Sequence, residues 1–418
     1  MRSRRHTAIL LILTLLPSCG IQRFSLRTVP MPQDTTLYGS IRPAFRQLSA
    51  MLTEDTGLPP REGNGLTLYA DGAERLKATL QDWNDVQVSL CLEKYRLARE
   101  PLTDTLFRLM EKKAKDGVDV RVLVERHAQL HRHRVHYRKL RQSGVDVREV
   151  HPPGHLVSNL MELNRRNHRK LEIMDGRVAY VGGRNLADRN FSTWQDLDVR
   201  LTGPVVGDLT EVFMKQWTGA GGREERPAKL DGDAPAGDKT VQALFDGPKD
   251  RLWTIRDLYE WTLAHTESYF YCSTPYFAPP FSTVEALCDA ARRGVDVRLL
   301  LPEDCDLRMM NRVAESYFRR LLAAGVRIWL CPVMNHAKHF IADGYLSCIG
   351  SANLDQRSFF TNYEDDVVVY DEDTASEGRR IYLDQLAGSR EVTWEEIRGW
   401  SVLRRMAGGF VRIFSRQL

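Results

Sequence analysis

The sequence lacks an apolar run long enough to cross a bilayer, any Cys-x-x-Cys pair, and a strong excess of either charge. A membrane-spanning helix needs about 20 consecutive apolar residues, and the best candidate, residues 8–16, falls well short. The cysteines are Cys19, Cys91, Cys272, Cys288, Cys305, Cys331 and Cys348, with no spacing typical of a zinc site. Cys91, Cys272 and Cys348 sit in apolar, strand-like runs, where a free thiol usually acts as a small core residue. The formal charge is +4 over 418 residues. A chain that holds nucleic acid by bulk charge is normally more basic. No nucleic-acid partner is therefore expected, with a local basic patch as the alternative. At 43% hydrophobic and 27% charged residues, the composition is that of a globular protein with a sizeable core.

The N-terminus has the pattern of a targeting segment. Arg2, Arg4 and Arg5 precede the short apolar run, which has the length of a signal-peptide core. Cys19 follows Ser18 as it would at a bacterial lipoprotein cleavage site, which predicts lipidation at Cys19. An ordinary secretory signal or an uncleaved anchor is the alternative, and Pro17 is unusual at a lipidation site. Removing the three arginines lowers the net charge from +4 to +1. The expected location is the cell envelope, as a membrane-anchored lipoprotein facing the periplasm.

What is present is an internal repeat. GVDVR at 117–121 recurs at 294–298, GVDV at 144–147 pairs with GVRI at 325–328, HRK at 168–170 pairs with HAK at 336–338, and GGRN at 182–185 pairs with GSAN at 350–353. Strand-like and helical stretches alternate in both copies. The predicted fold is α/β: two similar α/β/α sandwich halves related by a pseudo-two-fold axis and sharing one active site. Residues 1–19 read as the targeting segment and 20–60 as an irregular membrane-proximal lead-in. The halves fall at 61–218 and 240–418, joined by a Gly-, Pro- and charge-rich linker at 219–239. The first half carries about thirteen extra residues, roughly 152–165, just before its HRK segment. They shape substrate access or form a neutral surface loop.

The chemistry lies in two copies of one pattern, His168-x-Lys170-x4-Asp175 and His336-x-Lys338-x4-Asp343. Each is followed at equal spacing by a glycine-containing turn ending in asparagine. One copy could be chance; two at matched spacing could not. In a strand, residues i and i+2 share a face, so each histidine projects beside its lysine. Two such pairs around a phosphate would supply a neutral nucleophilic imidazole, a protonated one for the leaving alcohol, and two cations for the non-bridging oxygens. Gly183, Asn185, Ser351 and Asn353 are candidate phosphate-binding positions. No metal and no cofactor are needed for this chemistry.

A nucleophilic imidazole also needs an orienting acid. Asp196 lies 28 residues after His168, and Glu364 lies 28 after His336. The matched offset predicts that each orients the histidine of its own half, with Asp198 and Asp365 as rivals. Asp175 and Asp343 complete the catalytic motifs, fixing the local turn or supporting the site. His127, His131, His133 and His136 have helical spacing, but interleaved arginines oppose metal binding and favour a solvated basic face. The C-terminal residues 394–418 mix Trp and Phe with Arg, as in an interfacial helix or one packed on the domain.

The duplicated H-x-K-x4-D resembles the signature of the phospholipase D superfamily. Within it, the segments at 63–72, 166–170, 203–204, 273–277, 353–358 and 362–364 are similar to those of bacterial cardiolipin synthases. The resemblance implies metal-free transfer of a phosphatidyl group between two phosphatidylglycerols, releasing glycerol, through a phosphohistidine. His168 matches the position of the nucleophile and His336 that of the general acid, with the exchanged assignment as the alternative. Many such synthases begin with two transmembrane helices, which are not evident here. Alternatives are a phospholipase D using water as acceptor, a nucleic-acid phosphodiesterase, and a non-enzymatic membrane scaffold. The expected partners are a phospholipid membrane and phosphatidylglycerol; oligomeric state is left open.

Overall fold

The computed structural model describes residue 29, residues 36–128, 131–150, 165–230, 235–247 and 253–401, and residue 404. The first half contributes β1 (Arg61–Tyr69), β2 (Ser89–Lys94), β3 (Asp119–Glu125), β4 (Asp146–Val150), β5 (Lys170–Met174), β6 (Val178–Gly182) and β7 (Asp198–Thr202). The second half contributes β8 (Lys239–Asp246), β9 (Tyr269–Ser273), β10 (Phe277–Ala278), β11 (Asp296–Pro302), β12 (Arg327–Cys331), β13 (His339–Ala342), β14 (Leu346–Gly350), β15 (Leu354–Asp355), β16 (Glu364–Tyr370) and β17 (Arg390–Glu391).

Fifteen of these strands form one mixed sheet in the order β17-β12-β11-β9-β13-β14-β16-β8-β1-β7-β6-β5-β2-β3-β4. β17 apart, the order is the same read outward from either side of the β8–β1 pairing. That is the pseudo-two-fold symmetry the repeat predicts. The GVDVR segments open β3 and β11, each parallel to a neighbour on both sides. Their short apolar runs are buried on both faces, as parallel strands covered by helices must be. Helices flank the sheet on both sides and seal several apolar clusters.

The motif aspartates belong to this scaffold. Asp175 and Asp343 have φ of 53° and 50°, and Gly176 and Gly344 follow at 64° and 65°. Each Asp-Gly pair thus forms the left-handed centre of a tight hairpin turn, three residues between the paired strand ends of β5–β6 or β13–β14. The Asp175 carboxylate accepts the backbone N–H groups of Gln87, Val88 and Ser89; Asp343 accepts those of Glu267, Ser268 and Tyr269. Both carboxylates therefore anchor the start of a neighbouring strand.

The lead-in departs from expectation. Residues 43–56 form a helix, Pro43–Thr56, whose Phe45, Leu48, Met51 and Leu52 are buried against Leu258, Tyr259 and Trp261 of the second half. Burying such side chains contributes about 1.5–3 kcal/mol each, so this stretch is part of the folded core. The period was present in the sequence but was masked by the polar residues around it. Before Lys239, where β8 begins, the linker contains no strand among its described residues, yet it is fastened to the first half. Leu230 N–H donates to the Asp175 carbonyl at 2.9 Å, and the Ala228 carbonyl accepts Ser89 Oγ at 2.6 Å. The inserted loop at 152–165 (Arg165 apart), Cys19 with its apolar run, and nearly all of the C-terminal stretch beyond Ser401 lie outside the described residues. No described helix is long and apolar enough to cross a membrane.

Candidate active site

The two motif histidines arrive at one place by a symmetric pair of crossings between the halves. Asn167 bridges Tyr363, and Gln195 bridges Asn335. His168 N–H donates to the Tyr363 carbonyl at 2.9 Å, and His336 N–H donates to the Gln195 carbonyl at 2.7 Å. The chain just before each histidine is therefore stitched to the chain just before the other half's acid.

The carboxylates are crossed as a result. His168 Nδ1 lies 2.9 Å from Glu364, and His336 Nδ1 lies 2.8 Å from Asp196. Both acids orient an imidazole, but each serves the opposite half's histidine. The matched offset of 28 residues located the pair correctly and misassigned the partners, because sequence spacing is blind to strand exchange across a symmetry axis. The rivals stand elsewhere. Asp198 pairs with Arg75 and Arg184. Asp365 accepts the Lys170 backbone N–H.

Both imidazoles line one cavity of about 460 Å³, together with Asn185 and Asn353. Among the described residues the Asn353 side-chain oxygen has no hydrogen-bond partner, whereas Asn185 accepts the Arg96 N–H. Gly183 and Ser351 stand behind the acids instead of facing the cavity. A Cβ at 183 would sit 2.1 Å from the Asp196 carboxylate. The Ser351 hydroxyl donates to Glu364 at 2.6 Å. Asp175 and Asp343 do not line the cavity either. Among the described residues, no group of three or more His, Cys, Asp or Glu is placed to hold a metal ion; the side chains of His131 and His133 lie outside them.

The electrostatics follow from burial. Desolvation, with the Lys170 and Lys338 charges, pulls the His168 pKa down to about 4, although Glu364 opposes the shift. His336 is lowered well below the ordinary value by burial, both lysines and His168. Burial also lowers Lys170 to about 7 and Lys338 to about 8; mutual repulsion adds to the Lys170 shift. Glu364 goes the other way. Burial alone would raise it, but His168, Lys170 and Ser351 outweigh that and hold it at about 2. At neutral pH the site thus holds two neutral imidazoles, each fixed through Nδ1 with Nε2 left over, beside two lysines whose charge an anion between them would stabilise. Each lysine Nζ donates to the carbonyl of its own motif histidine.

Sequence reasoning missed several cavity residues. Arg96, Arg166, Arg189 and Arg357 line it, as do Tyr95 and Trp194. Arg189 and Arg357 each stand four residues after the asparagine of their repeat, a spacing that was available in the sequence.

Comparisons with known proteins agree with this geometry. The family described as "Cardiolipin synthase, PLD-like domain" matches residues 87–217 and 260–384. Cardiolipin synthase A of Pseudomonas fluorescens is 31% identical over 393 residues, covering 92% of this chain and 79% of its own. Cardiolipin synthase of Clostridium perfringens is 29% identical over 369 residues, covering 84% and 76%. Among solved structures, phosphatidylserine synthase of Haemophilus influenzae superposes with a TM-score of 0.67 at 14% identity, covering 90% of this chain and 98% of its own. Polyphosphate kinase of Porphyromonas gingivalis gives 0.55 at 15% identity, covering 92% and 55%. These two likenesses establish the shared fold. With two motif copies meeting in one cavity and a family match in both halves, the chain belongs to the cardiolipin synthase family of phospholipase D-like proteins.

Proposed function

We propose that the protein is a phosphatidyltransferase that makes cardiolipin from two phosphatidylglycerols through a phosphohistidine. The observation that carries this reading is the pair of Nδ1-anchored imidazoles on one cavity, in a chain related to cardiolipin synthases.

His168 is the nucleophile in this reading. Its partner Glu364 stays ionised and receives four donors, from His168, Ser351, Ser358 and Asn362. That fixes the tautomer and leaves the Nε2 lone pair for phosphorus. His168 Nε2 attacks the phosphorus of the first phosphatidylglycerol. The bond from phosphorus to the headgroup glycerol oxygen breaks, and His336 delivers a proton to the departing glycerol. The bound anion makes that proton available, because it offsets the lysine charges that depress His336. His336 then takes the proton from a hydroxyl of the second phosphatidylglycerol, whose oxygen attacks phosphorus and breaks the P–N bond. Cardiolipin leaves and His168 is restored. Lys170 and Lys338 neutralise the non-bridging oxygens during both displacements. A lipid anchor at Cys19 would hold the site at the membrane that supplies both substrates.

The test is to incubate the purified protein with phosphatidylglycerol and measure cardiolipin, glycerol and phosphatidic acid. Cardiolipin with glycerol in equal amounts is expected. Phosphatidic acid alone would make the protein a hydrolase. The covalent step is checked with His336→Ala on a phosphatidyl nitrophenyl ester, whose leaving group needs no proton: a lipid-labelled, acid-labile protein adduct should accumulate, while His168→Ala should give neither adduct nor product. An adduct formed by His168→Ala would reverse the histidine roles.

A further inference from the structure

The reaction proposed above brings two lipids to one cavity, and both carry a phosphodiester. The imidazoles and lysines account for one of these. The acceptor's own phosphate stays intact throughout, yet it enters the same buried space and needs a counter-charge there.

We propose that Arg189, assisted by Arg96, forms a second anion subsite that holds the phosphodiester of the acceptor phosphatidylglycerol. This rests on the functional reading above and names the group that would favour a lipid alcohol over water. Arg189 lies in the short helix Asp188–Ser192, and its guanidinium sits 4.0 Å over the Trp194 ring. The same ring lies 5.0 Å from His336. One indole therefore separates the cation from the imidazole that would deprotonate the acceptor. A glycerol bridge between two phosphates spans a gap of similar size.

Neither arginine is fully satisfied among the described residues. The Nε atoms of both are buried there without a hydrogen-bond partner. The nearest acids stand off, with Asp306 at 3.7 Å from Arg189 and Glu100 at 3.8 Å from Arg96. Asp306 is itself engaged by the Tyr276 hydroxyl at 2.6 Å. Burial and the charge of Arg96 both lower the Arg189 pKa, which an anion between the two would relieve. A guanidinium fork with unused donors suits a phosphodiester held through two oxygens. Arg357, the equivalent residue in the second half, interacts with the charge of Asp355 and then with Arg166 and Tyr95. The Tyr95 ring packs edge-on to His168 at 5.1 Å. Arg357 therefore flanks the nucleophile and not the base, so the two rim arginines serve different lipids.

The experiment uses the full chain in mixed micelles and lets two alcohols compete for the phosphatidyl group. One is phosphatidylglycerol, which carries a phosphate; the other is 1-butanol, which carries no charge. The readout is the ratio of cardiolipin to phosphatidylbutanol. Arg189→Gln should lower that ratio about ten- to a hundredfold, the loss expected for charge-assisted hydrogen bonds. Arg189→Lys, which keeps the charge and loses the fork, should fall between, and Arg96→Gln should show a smaller drop. An unchanged ratio, whether both products fall together or neither does, would overturn the subsite and leave the synthase reading intact. If the unaltered protein makes phosphatidylbutanol and phosphatidic acid but no cardiolipin, the synthase reading itself fails and the acceptor subsite falls with it.

Discussion

The two histidine–carboxylate dyads occupy equivalent positions and are built differently. Glu364, on the side of the proposed nucleophile, is gripped by Ser351, Ser358 and Asn362 in addition to His168. Asp196, on the other side, accepts only His336 Nδ1 and the Leu197 N–H among the described residues. The residues matching those three donors are Gly183, Asn190 and Trp194. Glycine leaves room for the Asp196 carboxylate, the Asn190 amide has no partner among the described residues, and the tryptophan ring lies tilted against His336. One dyad is held rigid and ionised. The other is held loosely, with burial raising the pKa of Asp196. Rigidity suits a nucleophile that must aim at phosphorus; looseness suits a group that gives up a proton and takes it back.

The largest test of this contrast is to neutralise each acid. Glu364→Gln should lower kcat by about 10³–10⁴-fold, because one amide oxygen cannot accept four donors. Asp196→Asn should cost about tenfold less, since the amide faces only two. Steady-state kinetics on phosphatidylglycerol give both values, and an Asp196→Asn loss equal to or above that of Glu364→Gln would erase the distinction.

A second contrast lies beneath the motifs. Under β5, Glu172 pairs with Arg75 and Lys94, while Asp198 pairs with Arg75 and Arg184. In the second half Phe340 replaces Glu172 and packs on Tyr259 and Phe270. Asp366, the counterpart of Asp198, has burial as its main perturbation and is pushed up to about 8. It is therefore neutral at pH 7. Asp198→Asn should destabilise by about 3–5 kcal/mol, by leaving buried guanidinium groups short of charge. Asp366→Asn should cost under about 1 kcal/mol at pH 7, since an amide replaces a protonated acid. Denaturant melts of both variants would settle this, and equal losses would refute it. The folded pKa of Asp366 is raised, so its contribution is complete below about pH 4 and is lost as pH climbs towards 8. The Asp366→Asn cost should shrink across that range.

The smallest expected effect separates the lysines from the histidines in the pH profile. In the free enzyme Lys170 and Lys338 lose their charge at about 7 and 8. The alkaline limb of kcat/KM should fall there, while that of kcat should lie at higher pH, because bound phosphate raises both lysines. The acid limb should fall near pH 4, where His168 becomes protonated. Coincident alkaline limbs would mean that the lysines do not meet the phosphate.

The sequence made the architecture and the residues that meet at the cavity and its carboxylates legible because duplication prints the same spacing twice. His168, Lys170, His336 and Lys338 were found that way, as were Asp196 and Glu364. It did not disclose which acid serves which histidine, since that is decided by the crossings at Asn167–Tyr363 and Gln195–Asn335. Nor did it reveal that Asp175 and Asp343 cap strands, although each Asp-Gly pair was a hairpin signal in plain view. Gly183 and Ser351 read as phosphate ligands because they sit in the turn, whereas packing turns them toward the carboxylates.

Those two crossings carry one more implication. A fragment containing either motif by itself would own an imidazole without its acid and an acid without its imidazole. Catalytic competence is therefore a property of the assembled pair, and a lone copy of this fold could recover it only by joining a twin. Any force that parts the halves by the length of a hydrogen bond would silence both histidines at the same moment.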